Sequence, residues 1–256
     1  MTLRDALAGG MWGLLVGDAL GVPYEFQTEE DWGGTAAIDM PPPAAFVRSH
    51  PDAPAQAWSD DGAQALCLLA ERDNGNGSLM RVLPLALWHR GTDDELIRDA
   101  ARQSLVTHAH PRSQVCCALY CMWVRAALHG ASDPWTDATR RVRAFSAQRP
   151  AWMLELDEHI RPEREPSGTG SGYVVDCLHS ARLATQEPTF EQVMRRAVSL
   201  GDDTDTTAAV AGGFAGVRHG LSGIPERWLQ ALSGRNLAEP LVTRLLEDCL
   251  PEQSER

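Results

Sequence analysis

The chain has 256 residues, enough for one large domain or two small ones with a substantial core. Its formal net charge is −12, and all 23 basic residues are arginine because the sequence contains no lysine. The absence of lysine excludes a Schiff-base lysine and a P-loop lysine. The acidic balance argues against binding to nucleic acid. An apolar share of 43% with 23% charged residues is typical of a globular protein.

The first predicted element is a helix over residues 6–20. Its apolar centre is similar to a signal peptide, but Asp5 and Asp18 flank it and no small-residue cleavage site follows. No apolar run approaches the roughly 20 residues that a membrane-spanning helix needs. We therefore expect a buried helix and no membrane association.

Apolar residues recur at three- and four-residue spacing through most of the remaining chain. This periodicity predicts further helices over 61–71, 79–88, 93–107, 113–129, 173–184, 190–199, 206–219 and 225–231. Residues 27–56, rich in proline, and 161–172, rich in proline, glycine and serine, are predicted to be irregular. Because the composition does not change across these segments, we predict a single compact all-α domain over residues 1–256.

Six cysteines show no CxxC pair and no regular spacing. Cys117 and Cys121 lie one helical turn apart on an apolar segment, which indicates packing thiols and a reducing, cytoplasmic location. A soft-metal site at these two thiols is the weaker alternative.

Two acidic segments stand before predicted helices and carry the strongest chemical signal. Their oxygen-bearing side chains are Ser59, Asp60 and Asp61 in the first segment and Asp203, Asp205 and Thr206 in the second. One such cluster is explained by helix capping. Two clusters, each more acidic than a cap requires, favour hard cations such as magnesium or manganese. If the segments meet, two metal ions roughly 3.5–4 Å apart could offset the repulsion between carboxylates.

The remaining candidates are weaker when they are judged from the residues alone. The loop with Gly75, Asn76, Gly77, Ser78 and Met80 could bind an anionic group at a helix start, or be an ordinary turn. The loop with Gly170, Ser171, Gly172 and Tyr173 could present an aromatic ring to a base, or be merely flexible. His108 suits a ligand pocket better than a zinc pair with His110. Glu25 lies between aromatic residues that could raise its pKa, although a surface glutamate is the simpler interpretation.

Together these segments resemble the ADP-ribosylglycohydrolase family, which includes the dinitrogenase reductase activating glycohydrolases. The resemblance rests on GDALGVPYEF, WSDDGAQALCLLA, GNGSLMRVLPLAL, THAHP, GSGYVVDCL, and GDDTDTTAAVAGGFAG followed by IPERW. It implies an all-α domain with a binuclear magnesium or manganese centre at the base of a cleft. The family removes ADP-ribose from modified side chains or from small adducts.

The resemblance also implies roles for individual residues. It implies Ser59, Asp60, Asp61, Asp203, Asp205 and Thr206 as metal ligands, with Asp205 bridging both ions. Glu25, Asp60, Asp61 and Asp205 are the implied catalytic residues, and the proton acceptor stays open among Glu25, Asp60 and Asp61. The loop from Gly75 to Met80, His108 and the loop from Gly170 to Tyr173 are implied to line the ADP-ribose cleft.

One departure concerns the segment around Ala70 and Glu71. The family usually carries several tens of residues between the helix that follows WSDD and GNGSLMR, whereas here the seven residues 68–74 join the two directly. Either the chain lacks that segment or the sequence skips a stretch there; we favour the second because the motifs on both sides are intact.

The expected activity is hydrolysis of an ADP-ribosyl bond, with an ADP-ribosyl-arginine protein as the favoured substrate and the protein expected to be a monomer. The alternatives are hydrolysis of ADP-ribosyl-serine or of a small ADP-ribose ester, a non-catalytic ADP-ribose-binding relative, and a metal phosphohydrolase.

Overall fold

The computed structural model describes residues 2–32, 34–44, 46–54, 56–62 and 77–249. Its α-helices are α1 Leu3–Gly21, α2 Glu29–Trp32, α3 Leu83–Trp88, α4 Asp93–Leu105, α5 Pro111–Leu128, α6 Pro134–Ser146, α7 Pro150–Leu154, α8 Val174–Ala184, α9 Phe190–Val198, α10 Thr204–His219, α11 Glu226–Ala231 and α12 Arg235–Cys249. Short 3₁₀ turns cover Val22–Tyr24, Thr35–Ala37 and Leu221–Gly223, and a π-helical turn, Glu155–Ile160, extends α7. None of these described ranges contains a β-strand, so the all-α prediction is confirmed.

Side-chain caps begin several helices where the sequence places a threonine. At the start of α4, the Thr92 side chain accepts a hydrogen bond from the Glu95 amide, and the Glu95 side chain accepts one from the Thr92 amide. At the start of α9, the Thr189 side chain accepts a hydrogen bond from the Gln192 amide. The helix predicted over 79–88 begins only at Leu83, because Ser78 to Met80 form a turn. The sequence analysis missed α2, α6, α7 and α12 entirely, and α2 lies within residues 27–56, which were predicted to be irregular.

The centre of the fold is the antiparallel pair α1 and α10, which pack along their whole lengths. Gly9, Gly13, Gly17 and Gly21 repeat every fourth residue and so line one face of α1. A Cβ atom on any of them would collide with the backbone of α10 or with the turn beyond it. The glycines therefore bring the two helix backbones into direct contact.

The expectation that no apolar run approaches membrane-spanning length was wrong by composition, because the segment Leu3–Tyr24 is long and apolar enough to span a membrane. Residues 6–24 of this segment are buried within the domain, as expected for the central helix of a packed core. Around it, α5 packs against α4 and α6, and Trp123 of α5 stacks on Phe214 of α10 with ring centroids 3.8 Å apart. The packing therefore confirms the buried-helix prediction for the N-terminal segment.

Candidate functional site

The site lies where the end of α1 meets the start of α10. The Thr204 hydroxyl donates a hydrogen bond of 2.8 Å to the carbonyl of Gly21, which ties the two helix ends together. The chain then turns through Val22–Tyr24 and delivers Glu25 beside the first turn of α10. Asp203 is the N-cap residue of α10 and Asp205 lies in its first turn. The close approach of the two helices thus places three carboxyl groups at one point.

Glu25, Asp203 and Asp205 each offer a carboxylate oxygen, and these oxygens lie within 4.8 Å of one another. Asp205 is buried and the other two are half-buried. Asp203 and Asp205 are two residues apart and could not share one face of a regular helix. They converge because Asp203 caps the helix from outside while Asp205 lies within it.

The second acidic segment meets the first at this point. Asp61 is buried, and its pKa is raised well above the ordinary value by burial and by the negative charges of Asp18, Asp205 and Asp203. Its Oδ2 atom is buried and has no hydrogen-bond partner within the described part of the chain. A buried carboxylate oxygen without a donor is costly, so a cation or a proton at this position would stabilise Asp61.

Burial and like charge raise the pKa values of the other carboxyl groups as well. Burial first, and then the hydrogen bond and charge of Asp205, raise the pKa of Asp203 to about 7. Burial and the charges of Glu25 and Asp18 raise the pKa of Asp205 to about 6. Among the described residues no arginine forms an ion pair with Asp18, Asp61, Asp203 or Asp205. These four carboxyl groups therefore concentrate negative charge without an arginine ion pair from the described part of the chain.

Glu25 has a partner that the sequence did not indicate. His50, which is exposed, lies 2.7 Å from Glu25 through Nε2 and Oε2. Burial raises the pKa of Glu25, and the His50 hydrogen bond opposes that shift. The two residues are separated by an irregular segment, so no periodic pattern could have paired them.

A cleft of about 460 Å³ leads away from the carboxylates. Asp203 and Thr206 lie in its wall, and so do Gly77, Ser78, Met80, His108, Gly172 and Tyr173. Gly75 and Asn76 lie outside the described residues. A larger cavity of about 780 Å³ lies elsewhere, between Trp12 and α11, but the Glu191 carboxylate in its wall is already paired with arginines. We therefore assign the chemistry to the smaller cleft.

Asp176 organises the loop of residues 168–172 that borders this cleft. Its carboxylate accepts the backbone amides of Thr169 and Ser171 and both of their hydroxyls. Burial opposes ionisation of Asp176, but these hydrogen bonds outweigh it and lower the pKa. The carbonyl of Gly170 in turn accepts the amide of Asp203 at 2.9 Å. The loop and the acidic turn are thereby held together.

His108 lies at the C-terminal end of α4, exposed at the cleft. Its Nδ1 atom is 2.8 Å from the Thr107 hydroxyl, and its backbone carbonyl accepts the Ser104 hydroxyl. Arg81 donates to the same Thr107 hydroxyl and to Gln103. The THAHP segment therefore has a defined conformation, with His108 and His110 both at the wall of the cleft.

Arg112 is a residue of the cleft that the sequence analysis missed. It donates through Nε to the buried Glu155 carboxylate at 2.6 Å and through NH1 to the Tyr173 hydroxyl at 2.8 Å. Among the described residues lining the cleft it is the single arginine. The sequence could have indicated Arg112 only through its position directly after THAHP. Its partner Glu155 lies 43 residues away, so no local pattern links the two.

The structure thus defines an all-α protein with an oxygen-rich acidic centre at one end of a polar cleft. The ADP-ribosylglycohydrolase family model matches residues 1–73 and 70–255, and the chain belongs to this family. The break between the two matched segments falls near Ala70 and Glu71, where the departure from the family pattern was noted. That junction lies outside the described residues, so both interpretations of it stay open.

Curated relatives and a solved structure agree with this membership. The chain is 31% identical over 174 residues to ADP-ribosylarginine hydrolase Tri1 of Pseudomonas putida, covering 68% of this chain and 46% of that protein. It is 32% identical over 165 residues to ADP-ribosyl-[dinitrogen reductase] glycohydrolase of Rhodospirillum rubrum, covering 64% and 52%. The chain therefore spans about half the length of these relatives. A structure titled ADP-ribosylglycohydrolase-related protein complex superposes with a TM-score of 0.68 at 28% identity, covering 97% and 99% of the two chains.

Proposed function

We propose that this chain is a divalent-metal-dependent hydrolase that cleaves the bond between ADP-ribose and a modified arginine side chain of a protein. The observation that carries the proposal is the convergence of Glu25, Asp203 and Asp205, with the buried carboxylate of Asp61 close enough to interact with the charges of Asp203 and Asp205. This convergence occurs at the end of a cleft whose size suits a nucleotide-sized ligand.

The donor set fits magnesium or manganese. All the converging groups are carboxylate or hydroxyl oxygens, which hard cations prefer, and the described part of the chain supplies no arginine to neutralise the buried ones. Ser59, Asp60, Asp61, Asp203, Asp205 and Thr206 would hold two ions. Bound there, the ions would supply Lewis-acid activation of water and orientation of the ribose hydroxyls.

The protein's own residues would position the substrate and accept a proton. The surrounding aspartates would stabilise the positive charge that develops on the ribose ring as the bond breaks. Glu25 is half-buried and hydrogen-bonded to the exposed His50, which links it to solvent. Of the three candidates, Glu25 is therefore the best placed to take the proton of the attacking water.

The rest of the cleft suits the ADP portion of the substrate. Arg112 offers a guanidinium for the diphosphate, and its contact with Tyr173 holds that ring at the cleft wall. Gly77 has a φ of 77°, and the Met80 side chain packs where a Cβ atom of Gly77 would lie, so these two residues together form one wall of the cleft. Arginine is the favoured acceptor because two relatives are an ADP-ribosylarginine hydrolase and an ADP-ribosyl-[dinitrogen reductase] glycohydrolase.

The test is metal-dependent release of ADP-ribose by the Asp205→Asn variant and by a matched control. We expect Asp205→Asn to abolish release from ADP-ribosyl-arginine, because it removes a buried carboxylate at the point of convergence. Asp202→Asn removes an equal charge from the neighbouring, exposed residue, whose φ of 59° asparagine tolerates. This control should retain activity. Full activity of Asp205→Asn, or release of phosphate in place of ADP-ribose, would contradict the proposal.

Acceptor, compartment and oligomeric state are parts of the same proposal. Parallel assays with ADP-ribosyl-serine and acetylated ADP-ribose would show whether arginine is preferred. The five cysteines of the described residues are buried and free, which supports a reducing, cytoplasmic location. We propose a monomer, to be checked by light scattering.

A further inference from the structure

Asp18 lies near the end of α1 and is fully buried, yet it carries none of the roles assigned above. Its two carboxylate oxygens accept the Ser59 amide at 2.9 and 3.1 Å, and Oδ2 also accepts the Gly62 amide at 2.6 Å. The Gly62 amide belongs to the first turn of the helical segment that begins at Asp60, and the Ser59 amide directly precedes that turn. Amides at a helix start lack backbone partners. Asp18 therefore caps this turn from a residue 41 positions away.

We propose that Asp18 is a positioning residue, which holds the turn of residues 59–62 so that Asp60 and Asp61 face Asp203 and Asp205. The inference rests on the proposed metal-dependent function, because the turn is taken to carry metal ligands. Asp18 itself is bound to backbone amides through both oxygens, so it acts through Ser59 and Gly62 and not on the substrate.

The fit between Asp18 and Gly62 explains why the WSDDG segment ends in glycine. A Cβ atom on Gly62 would lie 2.8 Å from Asp18 Oδ2, 2.8 Å from Leu15 Cδ2 and 3.0 Å from Trp58 Cγ. Any larger residue would push the turn away from α1. The sequence analysis treated the GDALG and WSDDG segments separately. In the structure, the hydrogen bonds of Asp18 to Ser59 and Gly62 join them.

The carboxylate of Asp18 suits this role better than a neutral side chain of the same shape. An asparagine would turn an NH₂ group toward one of the amides whose hydrogen bonds the carboxylate accepts. The carboxylate accepts hydrogen bonds through both oxygens, from Ser59 at one end of the turn and from Gly62 at the other.

The experiment compares manganese binding by Asp18→Asn and Gly62→Ala with that of the wild type, by calorimetry with Mn²⁺ alone as the probe. Loss of a group that orients metal ligands typically weakens metal affinity by about 10–100-fold, and we expect that loss for both variants. We also expect saturating Mn²⁺ to restore much of the ADP-ribose release. The control is Asp5→Asn at the other end of α1, where the carboxylate accepts the Ser222 amide far from the site. It should bind Mn²⁺ as the wild type does.

The outcomes separate the two proposals. If the wild type binds no Mn²⁺ and releases no ADP-ribose, the proposed function itself is wrong. If the wild type binds Mn²⁺ and folded Asp18→Asn binds it with unchanged affinity, the positioning role is overturned while the function stands. Should Asp18→Asn fail to fold by circular dichroism, Gly62→Ala decides, and wild-type affinity in that variant overturns the inference.

Discussion

The contact between Gly21 and the start of α10 predicts a large effect of a single methyl group. In Gly21→Ala the new Cβ atom would lie 2.5 Å from the Thr204 carbonyl oxygen and 2.6 Å from the Asp205 Cα atom. Ordinary van der Waals contact begins at 3.4 Å. The Asp205 backbone or the end of α1 must therefore move by about 0.8 Å. No flexible side chain is available to absorb this displacement, because the colliding atoms belong to the backbone.

The magnitude follows from two opposing terms. Overpacking by one methyl group costs about 1–3 kcal/mol, and replacement of glycine by alanine within a helix returns up to about 1 kcal/mol. A net loss of about 1–2 kcal/mol lowers Tm by roughly 2–8 °C in a domain of this size. A displacement near 1 Å of a catalytic group costs about 10²-fold in rate. We therefore expect a modest loss of stability and a far larger loss of kcat/KM.

The assay measures Tm, Mn²⁺ affinity and kcat/KM for ADP-ribosyl-arginine release. Gly10→Ala is the matched control, because it adds the same methyl group to the same helix. Its Cβ atom would meet the side chains of Val217 and Leu87, which lie away from the site. Its kcat/KM should stay within about twofold of the wild type. If Gly21→Ala retained wild-type kcat/KM and Mn²⁺ affinity, the reasoning that the glycine contact positions Asp205 would be refuted.

Three further predictions concern the cleft and its charge. Arg112→Gln should weaken ADP-ribose binding, measured by calorimetry, by about tenfold or more through loss of a charged hydrogen bond. Adenosine has no diphosphate, so an equal loss of affinity for adenosine would contradict a diphosphate contact. Asp176→Ala should speed hydrogen exchange in residues 168–172 and raise KM, and unchanged exchange would disprove its organising role. The raised pKa values of Asp203 and Asp205, about 7 and 6, mean that these two groups bind protons more tightly in the folded state than in the unfolded state, so the stability they contribute falls as the pH rises from 5 to 8. The Tm of metal-free wild type, measured relative to the Asp203→Asn/Asp205→Asn variant, should therefore be higher at pH 5 than at pH 8. Saturating Mn²⁺ should remove this pH dependence, and an equal Tm difference at both pH values without metal would exclude this explanation.

Much of the fold could be predicted because its helices carry local signals. Thr92 and Thr189 cap their helices as their spacing indicates. The missed helices show where such signals are weaker or conflict. Helix α6 has an Asp133 cap and apolar residues at helical spacing, so its signal was present and overlooked. Helix α12 contains Pro240, which usually argues against a helix.

The site was predictable only in part, because its parts come together through tertiary contacts. The two acidic segments could be identified as metal-binding candidates from residue type, but their meeting depends on the packing of α1 against α10. The pairs Glu25–His50 and Arg112–Glu155 join residues 25 and 43 positions apart through irregular chain or across helices. No periodicity relates such residues. The role of Asp18 was hidden for the same reason, since the sequence shows it only as the aspartate of a helix end.

The way the site is held together follows from its charge. Carboxyl groups crowded without arginine partners repel one another, so ion pairs cannot fix their positions. The structure instead uses hydrogen bonds that involve the backbone: the Thr204 hydroxyl donates to the Gly21 carbonyl, and the Ser59 and Gly62 amides donate to the Asp18 carboxylate. The first of these contacts involves no ionisable group, so it persists whether or not the carboxyl groups are protonated. Under the proposed function, these contacts would hold the metal ligands in place before a cation binds, and the cation would supply the missing positive charge.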